Sequence, residues 1–215
     1  GLGLNREEAV VTRVDTGATL PEAGGYAAII VTGSSAMVSE RLRWSEVTAA
    51  WLRRAIAVGV PVLGVCYGHQ LLAHALGGHV DYHPNGREVG TVNIEKLASS
   101  VDDALLGSSP ANFLAHASHR QSVLELPPGA VSLARSAHDQ HHAVRYAPAA
   151  WGLQFHPEFS SEILQGYLRH RACAAVGDCR ADCCVDPVHA PAPYARRLLR
   201  RFRDLARSAH IASAA

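Results

Sequence analysis

Pro61-Val62-Leu63-Gly64-Val65-Cys66-Tyr67-Gly68-His69-Gln70-Leu71-Leu72-Ala73-His74-Ala75-Leu76-Gly77-Gly78 is the stretch that decides the fold. Residues 61–65 form a short apolar run without polar alternation, the pattern of a strand buried on both faces. Residues 69–76 read as a helix stopped by the glycine pair. The chain passes from strand to helix through Cys66, with Gly64 and Gly68 on either side. A G-x-C-x-G turn in that position has the form of a nucleophile elbow. The tight turn holds the central residue in strained backbone geometry, and the glycines let neighbouring segments approach closely. The helix N-terminus that follows favours a thiolate over a thiol.

Working outward, residues 26–32 read as a second doubly buried strand, stopped by Gly33-Ser34-Ser35. Residues 45–58 carry Val47, Trp51, Ala55 and Val58 at helical spacing, with Ser45 as N-cap and Gly59 as the stop. Residues 9–14 read as a short strand closed by Asp15-Thr16-Gly17. Beyond the elbow, residues 79–82, 90–97, 122–126, 131–136, 141–146 and 151–155 read as strands. Residues 160–176 and 194–209 read as helices, the second rich in arginine with a Leu198, Phe202 and Leu205 stripe suited to packing on a sheet. Strands alternating with helices point to an α/β fold. The expectation is a doubly wound, mainly parallel sheet with an antiparallel portion and helices on both faces. Residues 1–215 are expected to form one domain, with a surface loop at 177–193, where Cys, Asp, Pro and Ala concentrate.

Composition narrows the function classes. Twenty basic against 19 acidic side chains give a net charge of +1, without the basic excess of a nucleic-acid binder. No run of about 18 apolar residues occurs, so no membrane-spanning helix is expected. The N-terminus does not read as a signal peptide, and the five cysteines are an odd count. The expected setting is therefore cytoplasmic, with reduced thiols.

A thiol attacks an acyl carbon well only beside a base. Gly152-Leu153-Gln154-Phe155-His156-Pro157-Glu158-Phe159 supplies one: His156 follows a buried strand, Pro157 stiffens the turn, and Glu158 can orient the imidazole. An oxyanion requires backbone N–H donors. The Tyr67 amide is one, and the Gly33-Ser34 turn offers a second at Ser34.

Together, Gly-Val-Cys-Tyr-Gly-His-Gln and Gln-Phe-His-Pro-Glu-Phe, in that order, resemble the class I (triad) glutamine amidotransferases, in particular the glutaminase domain of GMP synthetase and its stand-alone relatives. The resemblance implies a flavodoxin-like fold and hydrolysis of L-glutamine through a γ-glutamyl thioester on Cys66. Ammonia would pass to a synthetase partner. His156 would be general base and Glu158 its orienter, with Tyr67 and Ser34 amides at the oxyanion. Gln70 and the backbone of His119-Arg120-Gln121 would hold the substrate, and neither cofactor nor metal is called for. Three departures accompany it. A strand that related chains place ahead of residues 9–14 is expected to be missing. Thr-Gly-Ser-Ser stands where much of the family has Gly-Gly-Pro. No ATP-pyrophosphatase module fits in 215 residues, so amination of a nucleotide by this chain alone is not expected.

Other readings compete. The same triad could serve a stand-alone hydrolase of γ-glutamyl amines or peptides, or the scaffold could be a non-catalytic regulatory module. His69 and His74 read as structural or surface residues. His116 and His119 flank the substrate segment. His138, His141 and His142 read as a solvated turn rather than a metal site. Cys173, Cys179, Cys183 and Cys184 could form a thiol or metal sensor, but read more simply as a loop of thiols.

Overall fold

A computed structural model describes residues 2–176 and 190–214. Three short parallel strands form one half of a seven-stranded sheet: β1 (Ile29–Val31), β2 (Val62–Val65) and β9 (Ala150–Leu153). The other half is antiparallel and continues from β9 through β8 (Ala143–Ala147), β7 (Val131–Arg135), β4 (Glu88–Lys96) and β5 (Asn112–His119). The remaining strands, β3 (His79–Tyr82) and β6 (Gln121–Glu125), pair as a separate antiparallel ribbon. The α/β class matches the sequence reading, with a larger antiparallel share than "mainly parallel" suggests.

Alternation along β2 sends its side chains to two layers. Val62 faces α1 (Arg43–Ala57) and α2 (Tyr67–Ala75), packing with Leu52, Leu71, Leu72 and Val144. Helix α3 (Ser161–Val176) follows the His-Pro-Glu turn. Leu63 and Val65 face α4 (Pro193–Ala214), where Leu198 and Phe202 are buried against Phe113, Trp151 and Phe155. Helices therefore cover both faces, and each fully buried leucine or phenylalanine contributes about 2 kcal/mol. The stripe on the last helix packs as its spacing predicts, while its arginine heads reach outward to Leu2 and Ala104 carbonyls and Glu8. No helix among the described residues is long and apolar enough to cross a membrane.

Several expectations change. Residues 9–14 form no strand; they run as exposed chain into a short 3-10 turn at Val14–Thr16. Helix α1 starts at Arg43 with Leu42 as its N-cap. Ser45 is instead buried, within hydrogen-bonding distance of the Tyr67 hydroxyl at 2.6 Å. Val47 and Val58 are exposed; the buried face runs through Ser45, Thr48, Ala49, Trp51, Leu52 and Ala55. Strand β5 has no counterpart in the sequence reading, because its two alanines and two histidines carry little apolar signal although all four are buried. Residues 177–189 of the expected surface loop, and with them Cys179, Cys183 and Cys184, lie outside the described residues, while Pro193 already opens α4.

Candidate active site

The parallel half of the sheet gathers the sequence-predicted chemistry at the carboxyl ends of its strands, where open α/β sheets place their sites. Val31 pairs with Gly64, so the Gly33-Ser34 turn after β1 runs beside Cys66. Leu153 pairs with Val65, and its carbonyl accepts the Cys66 amide at 2.7 Å, which brings the chain after β9 to the same place.

Cys66 is the strained residue its motif predicts. Its φ of 51° and ψ of −105° lie in a region that side-chain-bearing residues rarely adopt. The flanking glycines hold the turn closed. A Cβ at Gly64 would meet the Gly68 carbonyl oxygen at 2.4 Å, and one at Gly68 would meet the Val31 carbonyl oxygen at 2.2 Å. Helix α2 can therefore sit directly on β1 and β2 only with glycine at both positions. The thiol is buried, with its sulfur 4.0 Å from the Ser118 carbonyl. The Tyr67 amide opens the first turn of α2, where backbone N–H groups lack helical partners.

His156 connects the thiol to a carboxylate. Its Nδ1 lies 2.7 Å from Glu158 Oε1, and the ring stands beside Cys66. Phe159 stacks on the imidazole at 4.2 Å, and the His156 amide donates to the His116 carbonyl. Burial alone would lower the imidazole pKa, but the contacts with Cys66 and Glu158 outweigh it and push the pKa up to about 10. An imidazolium beside the sulfur is thus favoured across the neutral range. Gly33 lies against this pair, and Ser34 is exposed with its hydroxyl accepting from the Ala36 amide.

The expected substrate residues take distinct positions. Gln70 is buried, and its side-chain nitrogen donates to both the Gln121 carbonyl (2.6 Å) and Gln154 Oε1 (2.9 Å). Both protons are committed, one to the 119–121 segment and one to Gln154, which leaves only its Oε1 for another contact. Gln121 is buried against Ser39, and Arg120 is exposed. His119 is buried, with its Nε2 against Glu88. His142 joins it there, fully buried, so the solvated-turn reading fails for this residue. His69 is structural as expected, locked between Tyr146 and the sheet. His74 pairs with Glu46.

Sequence reasoning missed Gln154, Phe159 and the Ser118 carbonyl. Gln154 and Phe159 both stand in the Gln-Phe-His-Pro-Glu-Phe motif, Gln154 as a polar residue two positions before His156; the Ser118 carbonyl leaves no trace. A larger cavity, about 830 Å³, lies along β1 and touches Gly33, Ser34 and Ser35, but neither Cys66 nor His156 lines it. The reactive groups, rather than this volume, locate the site.

A buried thiol on a strained elbow, a histidine beside it and a carboxylate bonded to that histidine form the arrangement that nucleophile–base–orienter chemistry requires. Residues 4–172 match the family model for glutamine amidotransferase class-I, and the chain belongs to that family. It is 33% identical over 173 residues to a glutamine-hydrolysing GMP synthase of Aeropyrum pernix, covering 78% of this chain and 31% of that protein. It is 34% identical over 116 residues to a glutamine-hydrolysing GMP synthase subunit of Methanopyrus kandleri, covering 51% of this chain and 60% of that one. The chain thus spans less than two thirds of these relatives. A glutamine amidotransferase structure from Methylobacillus flagellatus superposes with a TM-score of 0.64 at 30% identity, covering 90% of this chain and 77% of that one. One from Thermotoga maritima, at 20% identity, gives 0.67 over 92% and 79% and shows the shared fold.

Proposed function

We propose that the chain hydrolyses the side-chain amide of L-glutamine at Cys66 and delivers the ammonia to a synthetase partner. The observation that carries this reading is the position of His156, beside Cys66 on one side and bonded to Glu158 on the other.

The Cys66 sulfur, its proton on His156, adds to the amide carbon as the carbonyl electron pair moves onto oxygen. The amides of Tyr67 and Ser34 receive the oxyanion, with Gly33 letting the second approach. As the tetrahedral species collapses, the C–N bond breaks and His156 donates its proton to the leaving nitrogen, releasing ammonia and leaving a γ-glutamyl thioester. A water then adds to the thioester while His156 takes its proton. The C–S bond breaks, glutamate leaves, and the ion pair is restored. Glu158 holds Nδ1 throughout and keeps Nε2 directed at the chemistry. Backbone of 119–121, braced by Gln70, supports the glutamine. That the Methanopyrus kandleri relative is called one subunit of a GMP synthase supports a separate synthetase chain as the receiver of ammonia.

The test is release of ammonia and glutamate from L-glutamine by the wild-type chain and by Cys66→Ala, with γ-glutamyl amines offered in parallel. The proposal expects glutamine to be the better substrate and the variant to lose about a thousandfold or more. Faster cleavage of γ-glutamyl amines would favour a stand-alone hydrolase. Turnover of neither substrate would favour a non-catalytic module.

A further inference from the structure

Behind the active site, three chain segments converge on one buried point. Glu88 comes from the start of β4, His119 from the end of β5, and His142 from the turn into β8. His119 Nε2 lies 2.8 Å and His142 Nε2 2.6 Å from the same oxygen, Glu88 Oε2, and the three ligand atoms fall within 4.8 Å of one another. All three side chains are buried. The other carboxylate oxygen, Oε1, accepts from the Ser136 hydroxyl at 2.7 Å.

The histidine tautomers matter. His119 Nδ1 lies 2.9 Å from the Gln121 backbone carbonyl, which can only accept, so Nδ1 must carry a proton. A neutral His119 then turns an Nε2 lone pair toward the Glu88 carboxylate, an arrangement that requires a cation between them: either a second proton or a metal ion. An imidazole Nδ1–H fixed on a backbone carbonyl is the outer-shell arrangement that orients a metal-ligating Nε2. His142 Nδ1 is buried without a hydrogen-bond partner, so the tautomer that directs its Nε2 lone pair at the same point leaves an N–H unpaired, a cost that a cation bound at Nε2 would have to offset. A cavity of about 540 Å³ lined by Glu88, Asn93, Ser136 and His138 reaches Glu88, while His119 and His142 lie outside its lining.

We propose that Glu88, His119 and His142 form a binding site for a divalent transition-metal ion of the zinc class. Two imidazoles and one carboxylate suit such an ion rather than magnesium or calcium, which select oxygen ligands. Bond lengths of about 2.0–2.2 Å around a tetrahedral ion place ligand atoms roughly 3.3 Å apart, so loading lengthens both Glu88–imidazole distances by about half an ångström. The bound ion ties β4, the β5–β6 turn and the β7–β8 loop together beneath the 119–121 segment. Its role is therefore to stiffen that segment, with the chemistry left to Cys66.

The test uses tag-free protein carrying Cys66→Ala, so that the active-site thiol cannot capture metal. Zinc or cobalt(II) is added, excess is removed by gel filtration, and bound metal, absorption spectrum and Tm are measured. The expectation is one retained equivalent, cobalt d–d bands without thiolate-to-cobalt charge transfer, and a raised Tm. His142→Gln and Glu88→Gln, each shown by circular dichroism to be folded, are expected to lose the retained metal and the Tm shift. No retained equivalent, retention undiminished in the folded variants, or a thiolate charge-transfer band would each overturn the site.

Discussion

Gly33 lies against the His156 imidazole: a Cβ built on it would stand 3.1 Å from His156 Cε1 and 3.8 Å from Cys66 Cβ. The turn after β1 and the turn after β9 are thus packed to contact across Cys66. A methyl group at residue 33 has to displace His156 by a few tenths of an ångström. Gly33→Ala is expected to fold normally and to lose roughly tenfold in kcat, because small misplacements of reacting groups are expensive. Glutaminase kinetics beside a thermal melt check this; unchanged kcat would show that the imidazole has slack.

Ser34 separates side-chain from backbone roles. Its hydroxyl is spent on the Ala36 amide and its side chain is exposed. Ser34→Ala should stay within about twofold of wild type, whereas Ser34→Pro, which removes the N–H, should lose on the order of a hundredfold in kcat. Equal behaviour of the two variants would move the second oxyanion donor to another residue.

Two histidines set opposite limbs of the stability profile. Burial holds His69 down at a pKa of about 3, against 6.5 unfolded. The unfolded chain therefore binds the extra proton first, and stability is lost as pH falls from about 6.5 towards 3. His156 is the reverse, raised to about 10, so its contribution is complete below pH 6.5 and disappears as pH rises towards 10. Tm measured from pH 4 to 10 should peak near 6.5. His69→Gln should flatten the acid limb and His156→Gln the alkaline limb; a profile unchanged by either substitution contradicts these assignments.

Gly68 tests how closely α2 rests on the sheet. Its added Cβ would meet the Val31 carbonyl oxygen at 2.2 Å, backbone against backbone, with no flexible side chain to yield. Gly68→Ala is expected to cost about 3 kcal/mol in denaturant unfolding. A cost below 1 kcal/mol would mean that β1 can move away from the elbow.

Much of this was legible in the sequence for a physical reason. The elbow, the two buried strands beside it and the His-Pro-Glu turn are local patterns, in which residue type and spacing carry the constraint. Strand β5 was not, since Asn112-Phe-Leu-Ala-His-Ala-Ser-His119 buries small and polar side chains whose partners lie in β4 and give no periodic signal. Ser45 looked like a cap because caps are read locally, whereas its partner, the Tyr67 hydroxyl, arrives from the next helix. His142 looked solvated for the same reason: Glu88, which buries and binds it, is 54 residues away. Long-range polar pairing is what composition and periodicity do not record.

The central claim is that Cys66 carries the γ-glutamyl group. The most direct measurement is acid quenching of the chain during turnover of L-glutamine, followed by mass analysis of the peptide containing Cys66. The account predicts an adduct with the mass of one γ-glutamyl group on Cys66, absent from Cys66→Ser, whose ammonia release collapses. Ammonia release at the wild-type rate by Cys66→Ser, or a γ-glutamyl adduct on a different residue, would contradict it.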